Sequence, residues 1–561
     1  MNSFNISVCL CVLVAACGVQ LARSEVFSAL VEMEGLIETE SYLISYLEVY
    51  IKAQQQKVDS LKKKLLEYQV EHSEAALDTG KYLANPINAY LLTKRLTNDW
   101  IQVEALLQSE PGKEELAKIV DARSVLKFPT SEDLTGAATA LMRLQNTYNL
   151  ETSSLAKGIL NGIQYSSELT TGDCFELGRQ SYNNEDYYHT VEWMTEALNR
   201  FMIEEGFSNN HNQSEPEEFT KAEILEYLAF STFKEGDVES ALEMTNELLE
   251  LQPNHHRAKG NKNWYETVLR DANENTKRGD DGSADITLSN VKMEIHKNPS
   301  IRHTENSVYE MLCRGDLKQT PAQQRELVCK YVTNNVPFLK IAPLKLEEAN
   351  KSPYIVIYHE VMYDKEIEVV KNLAKPRFKR ATVQNSVTGK LETANYRISK
   401  SSWLKTEEHK YIEDIVQRTE DMTGLDMLAA EELQVVNYGI GGHYEPHYDF
   451  SRREEENAFK ELGTGNRIAT VLFYMSDVEQ GGATVFPQLS LSLLPKKGTA
   501  AFWYNLYASG EGDLRTRHAA CPVLTGSKWV SNKWIRERKQ EFRRPCEVTP
   551  DHPPKPFYKM I

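Results

Sequence analysis

Tyr438-Gly-Ile-Gly-Gly-His443-Tyr444-Glu445-Pro446-His447-Tyr448-Asp449 is the stretch on which the fold of this chain turns. Its glycines mark a turn, and a strand follows. His447 and Asp449 stand two apart, so on a pleated strand they project from the same face. Two such groups chelate one metal from one side. A second histidine further on completes a two-histidine, one-carboxylate set, which leaves three positions open and favours non-haem iron(II) oxygenase chemistry. His518, in Arg515-Thr-Arg-His518-Ala-Ala and 69 residues past Asp449, is the best third ligand, because the distant strand of a jelly roll returns at about that separation. His-x-Asp alone is a weak signal. His443 and Glu445 share its parity, but Pro446 disturbs the pleat, and the glycine run places His443 at the rim of the site.

Lys528 follows His518 by ten residues, in a strand rich in Trp and Val. An unpaired buried ammonium is costly, so this lysine requires an anion. The distal carboxylate of 2-oxoglutarate meets that need, with the other end of the cosubstrate on the metal. Without the metal set, a solvated strand face would be the default reading of Lys528. Tyr438 and Thr484 are candidates for hydrogen bonds to 2-oxoglutarate, and Trp534 for the pocket wall. Each of the three is read equally well as core.

The segments around these residues agree with that site. Tyr354–His359, Leu433–Tyr438, Arg467–Met475, Thr484–Phe486, Thr499–Tyr504 and Lys528–Ile535 are short, β-branched or aromatic, and bounded by turn residues. Helical patterns at Asp364–Ala374 and Thr406–Thr423 precede most of them. The spacing predicts a double-stranded β-helix (jelly roll) over 346–561.

Upstream the chain is helical. Residues 271–345 read as a linker. Residues 166–270 hold a weak internal repeat, in which Tyr182-Asn-Asn-Glu-Asp186 overlays Phe233-Lys-Glu-Gly-Asp237 at an offset of 51 residues. Two helical hairpins with a closing helix, of tetratricopeptide type, account for it. The aromatic content of this region, from Tyr182 to Tyr265, is read mostly as core. A minority lining a groove would suit an extended proline-rich peptide. Residues 25–165 read as an all-α domain. Within it Ile44, Leu47, Ile51, Val58, Leu61, Leu65 and Tyr68 keep a heptad spacing, interrupted only by Gln54. They predict a seam for self-association. A long helix packed within its own domain is the competing reading. The whole is a multidomain α+β protein.

Residues 1–24 read as a secretory leader. Ile6–Ala22 is apolar or small, and Ala22-Arg-Ser24 offers a cleavage site. No Lys or Arg precedes the apolar run, which leaves a membrane anchor as the lesser alternative. Beyond it no stretch of 18 apolar residues occurs, so no membrane span is expected. A net charge of −17 without a basic stripe argues against nucleic acid. Five cysteines lie past the leader, and in an oxidising compartment their order favours Cys313–Cys329 and Cys521–Cys546 bridges, with Cys174 free in a helix. Asn212 and Asn350 head glycosylation sequons.

The motif from Tyr438 to Asp449, Asp513-Leu-Arg-Thr-Arg-His518-Ala-Ala-Cys-Pro-Val-Leu and Lys528-Trp-Val-Ser-Asn-Lys-Trp-Ile together resemble the catalytic domain of the collagen prolyl 4-hydroxylase α-subunit family. Cys174-Phe-Glu-Leu-Gly, Asp186-Tyr-Tyr-His-Thr and His256-Arg-Ala-Lys-Gly-Asn261 resemble its peptide-binding domain, and Asn85-Pro-Ile-Asn-Ala-Tyr its N-terminal domain. The resemblance implies iron(II) at His447, Asp449 and His518, 2-oxoglutarate at Lys528, and ascorbate as a further cofactor. It implies peptide contacts at Tyr182, Arg257 and Asn261. It implies procollagen or a proline-rich peptide as substrate, oxidised at proline C4, and protein disulfide isomerase as β subunit in an α2β2 tetramer of the endoplasmic reticulum lumen. The chain ends Tyr-Lys-Met-Ile561, without a Lys-Asp-Glu-Leu type of signal, consistent with retention through such a partner. His443 departs from the glutamine expected there.

Two rival readings remain at this level. A lumenal hydroxylase of lysine or of proline C3 is one, disfavoured by lysine at 528 where arginine is expected. A non-catalytic collagen-binding subunit is the other, disfavoured by the intact ligand set.

Overall fold

The computed structural model describes residues 26–126, 128–208, 219–278, 304–384, 390–455, 459 and 463–548. The leader and the Asn212 sequon lie outside them. The chain divides into residues 31–130 and a larger unit formed by the segment ending at Leu30 together with everything from Ser131 onward.

In the smaller unit a long helix, α1 (Leu30–Leu77), is met by shorter helices that fold back along it. Tyr68 and Trp100 rings lie 5.4 Å apart, and Arg95 Nη1 reaches Glu71 Oε2 at 3.0 Å. Gln54, the polar break in the heptads, donates to the Pro111 carbonyl at 2.9 Å. Ile44, Leu47, Ile51 and Leu65 remain 51–56% exposed.

Helix α2 (Ser131–Tyr148) falls in the larger unit, inside the stretch expected to be all N-terminal domain. The reason is its burial: Ala138, Ala140, Met142 and Leu144 are covered. Gln145 Oε1 takes the Trp193 indole N–H at 2.9 Å, and the Tyr148 hydroxyl donates to the Pro522 carbonyl at 2.6 Å.

The repeat is two hairpins and a closing helix, as its pattern predicts: α3 (Thr171–Asn183), α4 (Tyr187–Ser208), α5 (Lys221–Lys234), α6 (Val238–Leu251) and α7 (His256–Arg278). Both copies open on a capping box, Thr170 with Asp173 and Thr220 with Glu223. Both turns close the same way. Glu185 N donates to Tyr182 O and Gly236 N to Phe233 O, each at a residue of positive φ. Trp193 and Tyr265 are core, whereas Tyr188 and Trp264 are 46% and 58% exposed. Trp193→Ala is expected to destabilise the repeat by about 3–5 kcal/mol, read as a lowered denaturation midpoint, since it empties a fully buried site and takes the donor from Gln145 Oε1.

Helix α8 (Thr304–Arg314) leads into two antiparallel sheets. Their strands are β1 (Cys329–Val332), β2 (Leu344–Lys351), β3 (Tyr354–His359), β4 (Lys379–Arg380), β5 (Lys400–Leu404), β6 (Leu433–Asn437), β7 (Tyr444–His447), β8 (Arg467–Tyr474), β9 (Thr484–Phe486), β10 (Leu491–Leu493), β11 (Ala500–Tyr504), β12 (His518–Ala520) and β13 (Trp529–Arg536). The large sheet runs β1-β2-β3-β11-β8-β13-β6-β5-β4 and the small one β7-β12-β9-β10. Val436, Leu472, Trp503 and Val530 from the first meet Phe486, Leu491, Leu493 and Ala520 from the second in one core. Helices α9 (Asp364–Ala374) and α10 (Lys410–Thr423) are joined by a bidentate Arg418–Glu366 pair at 2.8 and 3.0 Å. Among the described residues no helix is long and apolar enough to cross a membrane.

Three sequence expectations are corrected here. The stretch read as a linker supplies α8 and the edge strand β1 of the large sheet. Cys313 is bonded to Cys521, not to Cys329, and Cys546 is free. Helix α8 packs Tyr309, Leu312 and Cys313 against Val485 and Ala519 of the small sheet, which brings Cys313 to Cys521. Cys329 and Cys546 are both exposed, and Cys174 is buried and free as expected. Asn350 is the third. It lies in β2 at 8% exposure, and its amide nitrogen, the atom a glycan would take, donates to the Pro353 carbonyl at 2.7 Å. A sugar on that nitrogen would displace this bond and the cover over the side chain.

Candidate metal and cosubstrate site

Strands β7 and β12 pair so that His447 stands directly opposite His518. The register slips between Tyr444 and His447, the irregularity that Pro446 introduces. Asp449 follows β7 at 6% exposure. One ligand atom from each of His447, Asp449 and His518 lies within 4.8 Å of the others. Asp449 Oδ1 is 3.9 Å from His447 Nε2, and its Oδ2 is 3.7 Å from His518 Nε2.

Backbone carbonyls fix both imidazoles. His447 Nδ1 donates to Glu445 O at 2.7 Å, and His518 Nδ1 to Thr516 O at 3.0 Å. A carbonyl only accepts, so each Nδ1 carries a proton and each ring turns its Nε2 toward the Asp449 carboxylate. Burial, with His518 beside it, pushes His447 well below the usual imidazole range. Burial alone would raise the Asp449 carboxyl, but His518, His447 and Arg467 outweigh it and hold it at about 2. Thr470 Oγ1 donates to Asp449 Oδ2 at 2.7 Å, and Asn505 Nδ2 in turn donates to Thr470 Oγ1 at 2.9 Å. Two imidazole nitrogens and one oriented carboxylate suit a divalent iron ion.

The cavity beside these ligands is also bordered by Lys528, Tyr438, Thr484 and Trp534. Lys528 is 1% exposed, and its Nζ lies 5.0 Å from the Tyr438 ring centre. Burial pushes its ammonium down to about 7. Among the described residues no carboxylate pairs with it. Thr484 Oγ1 accepts from the Tyr474 hydroxyl at 2.9 Å, which leaves its own proton to donate.

His443 is not at the rim. It is 2% exposed, 3.9 Å from Glu445 Oε1, and pushed down to about 4 by burial. The glycine turn folds it inward instead of leaving it at the mouth, and it is not one of the clustered ligands.

Several site residues escaped the sequence reading. Tyr444 stacks on His447 with ring centres 3.5 Å apart, and Arg397 caps Tyr444 at 4.7 Å. Arg467 bonds Glu431 at 2.6 and 2.8 Å, donates to the Asp449 carbonyl at 3.3 Å, and lies 3.7 Å over Trp534. A wider cavity of about 440 Å³ opens onto His447 and Asp449 between Tyr444 and Trp534. Polarity inside the apolar run Arg467–Tyr474 was the available signal for Thr470. Nothing in the sequence singled out Arg397.

In the repeat, Tyr182 contacts Tyr227, Phe230 and Tyr187 at ring distances of 4.9, 5.9 and 6.0 Å. Arg257 is exposed and paired with Glu226. Burial raises the Tyr182 hydroxyl, and Arg257 is near enough to oppose it. Asn261 lies one turn beyond Arg257 on α7, half-buried.

Comparison with known proteins places these parts together. Residues 29–162 match the prolyl 4-hydroxylase α-subunit N-terminal region, 171–271 the prolyl 4-hydroxylase peptide-substrate-binding domain, and 433–536 the 2OG-Fe(II) oxygenase superfamily. Prolyl 4-hydroxylase subunit alpha-1 of Bos taurus is 47% identical over 533 residues, covering 94% of this chain and 97% of its own length. The Homo sapiens protein of that name is 47% identical over 532 residues, with the same shares covered. The chain belongs to the prolyl 4-hydroxylase α-subunit family. Within that family the likeness reaches subunit alpha-2 of Caenorhabditis elegans, 47% identical over 530 residues and 94% of both chains. The family's oxygenase domain uses iron and 2-oxoglutarate, and its match encloses His447, Asp449, His518 and Lys528.

Proposed function

We propose that this chain is the catalytic α subunit of a procollagen-proline 4-dioxygenase, hydroxylating proline at C4 in X-Pro-Gly sequences with O2 and 2-oxoglutarate and releasing succinate and CO2. The observation that carries the reading is the single cavity that borders the clustered His447, Asp449 and His518 at one side and the buried Lys528 at another.

Iron(II), held by His447, Asp449 and His518, supplies the dioxygen chemistry when bound. The chain's own residues supply position and exclusion. Glu445 and Thr516 carbonyls orient the imidazoles, and Thr470 orients the carboxylate. Lys528 takes the distal carboxylate of 2-oxoglutarate, with Tyr438 and Thr484 as further donors. Tyr444 and Trp534 wall the mouth through which the prolyl ring enters. The buried wall keeps bulk water from the reacting atoms. Ascorbate would serve as the reductant that keeps the bound metal in its ferrous state.

The repeat (166–270) holds the proline-rich peptide at Tyr182, Arg257 and Asn261, and the oxygenase domain spans 346–561. Residues 25–165 carry self-association, for which the exposed Ile44, Leu47, Ile51 and Leu65 are suited. Protein disulfide isomerase completes an α2β2 tetramer in the endoplasmic reticulum lumen.

The test is co-expression of the chain from Glu25 with protein disulfide isomerase, supplied with iron, 2-oxoglutarate, ascorbate and (Pro-Pro-Gly)n. 4-Hydroxyproline by mass spectrometry is expected, and its absence overturns the proposal. Tyr182→Ala should raise the KM for long peptide about tenfold with kcat retained, since one aromatic contact of about 1–1.5 kcal/mol is lost from binding alone. Steady-state kinetics at varied peptide length reads this. Equal KM in variant and parent would remove Tyr182 from the peptide site.

A further inference from the structure

Val26–Ala29 lies buried against the loop that carries Tyr438. Val26, Ser28 and Ala29 are 1%, 0% and 0% exposed. Leu30 N donates to Tyr438 O at 3.3 Å, and Ile440 N donates to Phe27 O at 3.1 Å, a short antiparallel pairing. Gly439 sits between these bonds. A Cβ there would meet the Phe27 carbonyl oxygen at 1.9 Å, so the close approach needs glycine. Asp133 on α2 fixes the segment, its Oδ1 accepting from Val26 N at 2.5 Å and Phe27 N at 3.4 Å. The Phe27 ring lies on Gly136, where a Cβ would come within 2.3 Å of it. From the opposite side Tyr438 N donates to the Lys528 carbonyl at 3.2 Å, as Asn437 Nδ2 does at 3.2 Å.

The peptide units of Tyr438 are therefore gripped twice, by the Lys528 strand and by residues more than 400 positions earlier in the chain. We infer that Val26–Leu30 is a positioning element of the oxygenase site: a strap that sets the Tyr438–Gly442 turn and so holds the Tyr438 wall against Lys528 and 2-oxoglutarate. The strap touches no reacting atom. It acts through the Tyr438 backbone, and its loss frees the turn and loosens the pocket around the cosubstrate. The inference rests on the reading of Lys528 as the 2-oxoglutarate anchor.

The experiment compares Gly439→Ala, Asp133→Ala, Asp133→Asn and Lys528→Ala in the full chain assembled with its partner. Three quantities are read: 2-oxoglutarate binding by equilibrium dialysis with redox-inert zinc in place of iron, the split between KM and kcat for 2-oxoglutarate, and amide hydrogen exchange at Ile440. Gly439→Ala and Asp133→Ala should speed exchange at Ile440 and weaken 2-oxoglutarate about tenfold, with kcat at saturation within about twofold. Asp133→Asn retains an acceptor oxygen and should restore near-parental binding. If exchange at Ile440 quickens while 2-oxoglutarate binding stays unchanged, or if kcat falls with binding intact, the strap is merely structural and the inference is overturned. If Lys528→Ala also leaves binding unchanged, the cosubstrate reading falls first. The Asp133 pair keeps the test decisive should Gly439→Ala fail to fold.

Discussion

His447→Ala is expected to yield a folded chain that retains neither iron nor hydroxylase activity. His447 supplies one of three protein ligand atoms, and its imidazole is already neutral and aimed by the Glu445 carbonyl. Losing a partner that merely orients a ligand costs about 10- to 100-fold in metal affinity, so losing the ligand itself must cost more. Metal content after dialysis and 4-hydroxyproline formation measure the two losses. Glu445→Gln is the comparison that decides between the two possible ligand pairs of the motif. Its side chain is exposed, near His443 and Arg143 and not among the clustered ligands, so metal content should be unchanged. Iron lost in that variant but kept in His447→Ala would reverse the assignment.

Lys528→Ala is expected to raise the 2-oxoglutarate KM about a hundredfold while kcat at saturation falls little. A buried charge-assisted bond is worth about 2–3 kcal/mol, which corresponds to this factor. An unchanged KM would refute the anchor. The same residue sets a pH dependence. Burial pushes its ammonium down to about 7. Below that pH Lys528 is charged before the dicarboxylate arrives. Above it, binding must first take up a proton, and the apparent affinity falls by up to about tenfold per pH unit. The 2-oxoglutarate KM should thus rise with pH above about 7 in the parent and stay flat in Lys528→Ala. A parallel rise in both would assign the titration elsewhere.

The site was legible where chemistry depends on short spacing. His447 and Asp449 share one face of one strand. Lys528 stood out because an ammonium in a Trp- and Val-rich strand demands an anion. The helical repeat was legible through its turns, which recur with the same backbone bonds at Glu185 and Gly236. What could not be read depends on how distant elements pack. Order along the chain suggested neighbouring cysteines, but α8 crosses the small sheet and brings Cys313 to Cys521. Asn350 has a sequon's residues, but its place in β2 buries it. His443 looked like a rim residue because nothing local shows that the glycine turn folds inward. The strap on Gly439 was unreadable for the same reason.

The position of β13 bears on how the chain must be made. It is the last described strand in sequence, yet it lies between β8 and β6 in the large sheet. While residues 529–536 are still being synthesised, both neighbours present unpaired hydrogen-bonding edges, a state prone to aggregation. The sheet is completed only once residues 529–536 have emerged, and such distant pairings form slowly. A stop codon shortly before Trp529 would therefore yield not a weakened enzyme but a polypeptide whose oxygenase half never closes. Supply of folded subunit would then depend on chaperoning during that wait as much as on the stability of the finished fold.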